Sequence, residues 1–217
     1  MNFTNYDIAI LLGLLLGDGY IDPRGQIQIK HCETQKEYCE YKAKLLHSVC
    51  GGKDIKIHLT QIDGKKSKFK ENIYNYYGIK KQSKHFKFIR KLLYPNDKKE
   101  FTSEVLSYLQ PISIALWWMD DGCLSRRKLK NGQPGSYMLR LFTYTSKEET
   151  ERIQKYFLDN YDVNWNVVKA DGDPSKYMLR CGVNEGRKFL NIIRNIVLKV
   201  PCMAYKVIDI WHEYRVL

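Results

Sequence analysis

Leu11-Leu12-Gly13-Leu14-Leu15-Leu16-Gly17-Asp18-Gly19 is an apolar run that ends on an acid between two glycines, and Ile114-Ala115-Leu116-Trp117-Trp118-Met119-Asp120-Asp121-Gly122 repeats its plan further along the chain. Asp18 falls on Asp121, an offset of 103 residues. Each run is predicted to be a buried helix stopped by glycine. Gly13 and Gly17 stand four apart on one helix face, where missing side chains let a second helix come close. If the two helices pack parallel along a pseudo-twofold axis, their terminal acids emerge together. A helix C-terminus already carries partial negative charge, so the acids call for something cationic beside them. Paired carboxylates suit Mg²⁺ (or Mn²⁺), which takes oxygen ligands from one or two acids and from phosphate.

The flanking sequence repeats as well. In the first half, Gln26 to Lys30 alternates as a half-exposed strand, a helix is predicted from Gln35 to Val49, and Ile55, Ile57 and Leu59 oppose Lys56, His58 and Thr60 on a second strand. A loop at Asp63-Gly64-Lys65-Lys66 leads to a strand over Ile73 to Ile79 and a helix over Ser83 to Leu93. In the second half a helix is predicted over Ser103 to Asp121, a strand over Tyr137 to Thr145, a capped helix from Ser146 to Asp159, strands around Val163 to Val167 and Tyr177 to Val183, and a helix over Glu185 to Val197. Ser125 to Gly135, with Arg126, Arg127, Lys128 and Lys130, reads as a flexible basic loop. The expected organisation is an N-terminal half at 1–96, a linker at 97–103 and a C-terminal half at 104–217. The period is too long for a solenoid and implies a duplicated α+β chain.

The chain has 36 Lys+Arg against 24 Asp+Glu, a net +12, and residues 51–99 hold 14 Lys+Arg and 4 Asp+Glu. Aromatic residues (Tyr74, Tyr76, Tyr77, Phe86, Phe88) are interleaved with this basic stretch, and a polyanion is the natural partner. Six cysteines occur without a C-x-x-C pair, and the five histidines show no zinc spacing, which argues against a disulfide framework or a zinc site. The sequence opens without a signal-type segment, and the apolar run Ile8 to Leu16 is too short to span a bilayer. An intracellular protein is expected, with bacterial cytoplasm and organelle matrix both open.

Both nonapeptides resemble the LAGLIDADG motif of homing endonucleases, in the single-chain, two-motif class, and the resemblance extends from about Tyr6 to Tyr214. It implies two pseudo-symmetric αββαββα-type halves forming a DNA-binding saddle of curved antiparallel sheets, in a monomer that makes a double-strand break in a long asymmetric target. An intron RNA maturase on the same fold, with weak or no cleavage, is the alternative; intact acids in both motifs favour cleavage. The resemblance makes Asp18 and Asp121 the metal-binding aspartates, with the backbone carbonyls of Gly17 and Asp120 as further metal contacts, and it gives Lys99 and Lys206 the part of organising solvent around the metals. Lys98 competes with Lys99. Two departures stand out: Leu116 where a small residue is usual, and Asp120 where alanine or glycine is usual. They imply an asymmetric helix interface and leave Asp120 as a rival of Asp121.

Base-reading residues are expected on exposed strand faces, since a major groove admits a two-stranded ribbon. The candidates are Arg24, Gln26, Gln28, Lys30, Lys56 and His58 in the first half, and Arg126, Arg140, Asn164, Asn166, Lys169 and Arg180 in the second. The lysines of 65–70 and 80–91 are assigned to phosphates.

Overall fold

The computed structural model describes residues 3–52, 54–63, 73–129 and 131–208. The first half runs α1 (Asn5–Leu16), β1 (Tyr20–Ile21), β2 (Gln26–Cys32), α2 (Lys36–Cys50), β3 (Ile57–Asp63), β4 (Ile73–Gln82) and α3 (Phe86–Leu93). The second runs α4 (Ser103–Ser107), α5 (Pro111–Asp121), β5 (Gly122–Lys128), β6 (Pro134–Thr145), α6 (Lys147–Tyr161), β7 (Asn166–Ala170), β8 (Asp173–Gly182) and α7 (Val183–Val197), followed by a 3-10 segment at Pro201–Lys206. The two antiparallel sheets have the same order, β1-β2-β4-β3 and β5-β6-β8-β7. Each half therefore has the αββαββα plan, with α4 added between them.

The helices cover one face of each sheet. Ile27, Ile29, Ile79, Leu139, Leu141 and Leu179 point from the strands into a single core with the buried stretches Ile8 to Leu16 of α1 and Ile112 to Met119 of α5. Alternation then leaves Gln26, Gln28 and Lys30 on the opposite, open face, as the pleat requires. Among the described residues no helix is long and apolar enough to cross a membrane.

Helices α1 and α5 meet through the predicted small-residue face. A Cβ built on Gly13 would lie 2.7 Å from the Ser113 Cα, and one on Gly17 would lie 2.3 Å from the Asp120 Cβ. Backbone thus approaches backbone, and the Ser113 hydroxyl donates across the contact to the Ala9 carbonyl at 2.9 Å. Gly13→Val should therefore cost about 3 kcal/mol through overpacking, lowering Tm by roughly 6–12 °C in calorimetry. An unchanged Tm would mean that the helices stand further apart.

Several sequence expectations are corrected. The helix expected over Ser103 to Asp121 is two helices, because Pro111 has no N–H and its ring excludes the preceding residue from helical geometry; it occupies the first turn of α5 instead. Most of the expected loop at 125–135 is strand: β5 reaches Lys128 and β6 begins at Pro134, paired through Arg126 and Tyr137. Pairing partners outside the segment fix it as strand despite its charge. The two-residue β1 was not foreseen. Within the segment 97–103, Phe101 is buried and stacked on Trp117, and its carbonyl accepts from Arg152. The expected loop lysines at 65–70 and Lys130 lie outside the described residues.

Candidate active site and nucleic-acid interface

The C-termini of α1 and α5 end side by side, each capped by a lysine from its own half. Lys99 Nζ donates to the carbonyls of Leu15, Leu16 and Gly17 at 2.6, 3.1 and 3.1 Å. Lys206 Nζ donates to those of Trp118, Met119 and Asp120 at 3.4, 2.5 and 3.3 Å. An ammonium has three donors, so each lysine is matched to three helix-end carbonyls and places a positive charge where the helix end is negative. Burial pulls both lysines below the usual lysine range, opposed by the charges of the three acids. Lys98, the competitor, is exposed.

Beyond these caps three carboxylates converge. Asp120 is enclosed: its Oδ1 and Oδ2 accept from Lys42 Nζ at 2.7 and 2.8 Å, and neither side chain has any solvent exposure. Oδ2 also accepts the backbone N–H of Asp18 at 3.1 Å. The Asp18 side chain is about half exposed. Asp121 is the last residue of α5, and burial, followed by the charges of Asp120 and Asp18, pushes its carboxyl up to about 7. Burial and Asp120 push Asp18 up as well. His31 lies beneath Asp18, its Nδ1 3.9 Å from Asp18 Oδ2 and 3.2 Å from Gln35 Oε1. Burial, then Lys42, holds its pKa down at about 4, so the ring is neutral at pH 7.

Burial, together with the neighbouring acids, makes the negative charge of Asp18 and Asp121 costly despite the lysines nearby, which is an environment that a hard divalent ion relieves. Ligand atoms of Asp18, His31 and Asp120 lie within 4.8 Å of one another. Asp120 is the poorest of the acids for a metal, because both its oxygens already face the Lys42 ammonium. Asp18, with a half-exposed carboxylate, is the better-placed oxygen donor of that group, and a carboxylate donor of this kind fits such an ion.

On the open face of the first sheet, Tyr20 stands opposite Gln28, Gln28 opposite Lys80, and Gly78 between Lys30 and His58. Gly78 leaves a hollow of about 330 Å³ bordered by Gln28, Lys30, His58, Thr60 and Lys80. Gln26 accepts a hydrogen bond from Gln28 at 3.2 Å, and Arg24 is held in a fixed direction by Asp22, with its Nε and Nη2 2.9 and 2.8 Å from Oδ2. Lys56 is exposed just before β3. In the second sheet Arg140, Arg180 and Asn166 form one row across β6, β8 and β7. Arg140 also donates to Asp171 at 2.7 Å. Asn164 is exposed just before β7.

Two candidates lie on the other side of their strands. Register puts Arg126 with Leu124, its guanidinium over the Tyr137 ring at 4.7 Å, and Lys169 with Val167. The period of two decides this, because one step along a strand reverses the face. Lys80, assigned to phosphates from sequence, is instead on the open face, as is Gln82. The burial of Ile79 implies both. Lys42 and His31 were missed altogether. A lysine in the apolar stripe of α2 (Tyr38, Lys42, Leu46, Val49) opposite an unusual motif acid was the available signal.

Comparison with known proteins agrees with this architecture. The model of the LAGLIDADG DNA endonuclease family matches residues 8–189. Protein RecA of Mycobacterium gastri is 27% identical over 94% of this chain and 47% of that protein, so the chain spans about half the length of the RecA relatives it matches. DNA endonuclease I-ChuI of Chlamydomonas applanata is 22% identical over 96% of this chain and 97% of its own length. Among solved structures, the homing endonuclease I-WcaI bound to its DNA recognition sequence superposes with a TM-score of 0.76 at 19% identity, covering 95% of this chain and 88% of that one.

Proposed function

Since this chain belongs to the LAGLIDADG DNA endonuclease family, we propose that it is a site-specific homing endonuclease that makes a double-strand break in a long asymmetric DNA target by metal-dependent phosphodiester hydrolysis. What supports this reading is the packing of the two motif helices through glycine, which sets their C-terminal ends, carrying Asp18 and Asp121, side by side, with burial and the neighbouring acids making their charge costly. Asp18 and Asp121 would hold Mg²⁺ or Mn²⁺. The ion, when bound, supplies positive charge against the scissile phosphate and a nucleophilic water at neutral pH.

The chain's own residues prepare for this. Lys99 and Lys206 neutralise the helix ends and fix the direction of the Gly17 and Asp120 carbonyls, which reduces repulsion of an incoming phosphate. The packed motif helices, with the contact from the Asp18 N–H to Asp120, hold the acids in place before DNA arrives, so little ordering is needed at the moment of reaction. The open sheet faces, with Gln26, Gln28, Lys30 and Lys80 on one and Arg140 and Arg180 on the other, present donors and acceptors suited to base edges. Because the two faces differ in sequence, the target is asymmetric.

Selection for cleavage from a randomised duplex library in Mg²⁺ tests the proposal. Recovery of one long, non-palindromic site cut on both strands is expected; no enrichment over uncut duplex would refute it. Binding to that site, measured in Ca²⁺, should weaken steeply with salt, with a log–log slope of about −0.9 for each phosphate neutralised. A flat response would remove the electrostatic part of the argument.

A further inference from the structure

The two motif helices do not end alike. Helix α5 continues through Asp121, whereas α1 stops at Leu16, two residues before the equivalent Asp18. Asp18 therefore stands on backbone that has left the helix, and its N–H has no helical partner. The acceptor it finds is Asp120 Oδ2, from the other half of the molecule. No reciprocal contact can form, because the residue facing Asp120 is Gly17, and a Cβ there would overlap the Asp120 side chain. The glycine in one motif and the acid in the other are two parts of one arrangement: the missing side chain makes room for the carboxylate that reaches across.

Asp120 is itself held from behind. Lys42, in the buried stripe of α2, meets both of its oxygens, and the Tyr38 hydroxyl one turn earlier donates to the Leu116 carbonyl at 3.0 Å, fixing α2 against α5. The pair has no solvent contact on either side. Buried ion pairs of this kind are poor sources of stability compared with apolar packing, so a role in specifying geometry is the better account of its presence.

We infer that Lys42 and Asp120 form a strut that positions Asp18, and that Asp120 acts through the Asp18 backbone and not as a metal ligand. The inference rests on the proposed nuclease reading for its catalytic consequence, but its structural half does not. Its consequence is directional: loss of the strut displaces Asp18 and leaves Asp121, whose backbone is helical, in place.

The test uses two neutral replacements of the pair, so that no buried charge is stranded. Lys42→Met/Asp120→Leu removes the acceptor, whereas Lys42→Gln/Asp120→Asn keeps an oxygen for the Asp18 N–H and gives the new amide a partner. Amide hydrogen exchange at Asp18, followed by NMR in the metal-free protein, should accelerate at least tenfold in the first variant and stay within about threefold of wild type in the second, a margin that separates one lost hydrogen bond from ordinary variation. In single-turnover cleavage with Mg²⁺, the first variant should slow at least tenfold on the strand that Asp18→Asn also slows most, with the other strand changed less than threefold; the second variant should recover both rates. Unchanged exchange at Asp18, equal slowing of both strands, or a second variant as defective as the first would overturn the strut. If Asp18→Asn cuts as wild type does, the nuclease assignment of Asp18 fails, while the exchange measurement still decides the structural claim.

Discussion

Asp121→Asn is expected to reduce double-strand cleavage in Mg²⁺ by about a hundred- to a thousandfold, the range found when one group that stabilises developing charge is removed. Asparagine keeps the size and one oxygen but loses the charge that would hold a divalent ion against phosphate. Asp18→Asn should have a comparable effect. Neither change touches the open sheet faces, so affinity for the target in Ca²⁺ should stay within about tenfold, or 1.4 kcal/mol. The comparison with Asp120→Asn separates the adjacent acids. Asp120 is fully enclosed and faces Lys42, and asparagine keeps an oxygen for the Asp18 N–H, so this change should act mainly on stability. Rate and affinity are measured with a supercoiled plasmid carrying the selected site, where nicked and linear products are resolved. Wild-type rates of linear product from the Asp121 variant would show that this residue is not the metal-binding acid of its half.

The helical spine and its acids were legible because their signals are local and doubled. An apolar run ending in an acid and a glycine is ambiguous once; two, a half-chain apart with matching flanks, are not. The alternating strands were equally plain where one face is apolar, as in Gln26 to Lys30. Other features depend on partners distant in the chain. Strand β5 carries too few apolar residues to declare itself and exists because β6 pairs with it. Arg126 was read within a loop and Lys169 beyond the end of its strand, so neither had a face until pairing set one. Lys42 contacts Asp120 across 78 positions, and no spacing rule connects them. Lys99 and Lys206 came from the family resemblance, and what the structure adds is their contact with six helix-end carbonyls.

The site should also make the metal-free protein sensitive to pH in a direction opposite to that of ordinary surface acids. Burial and the neighbouring acids raise the folded-state pKa of Asp121 from 3.8 to about 7. In this range the folded state binds a proton that the unfolded chain releases, so the stabilisation is complete below about pH 4 and is lost as pH rises through 7. The displacement corresponds to about 4 kcal/mol at most. Two consequences follow for Tm measured in chelator between pH 5 and 8. Wild type should fall across the interval by several degrees, since each kcal/mol shifts Tm by roughly 2–4 °C for a chain of this size. Asp121→Asn, neutral at every pH, should be flatter and more stable than wild type at pH 7.5, even though it has lost cleavage. Saturating Ca²⁺ should close most of the gap by binding the folded wild type alone. A variant no more stable than wild type at pH 7.5 would mean that Asp121 ionises at little cost in the folded chain. The motif acids would then be neither crowded nor costly to ionise, and the electrostatic argument for a divalent ion would be lost.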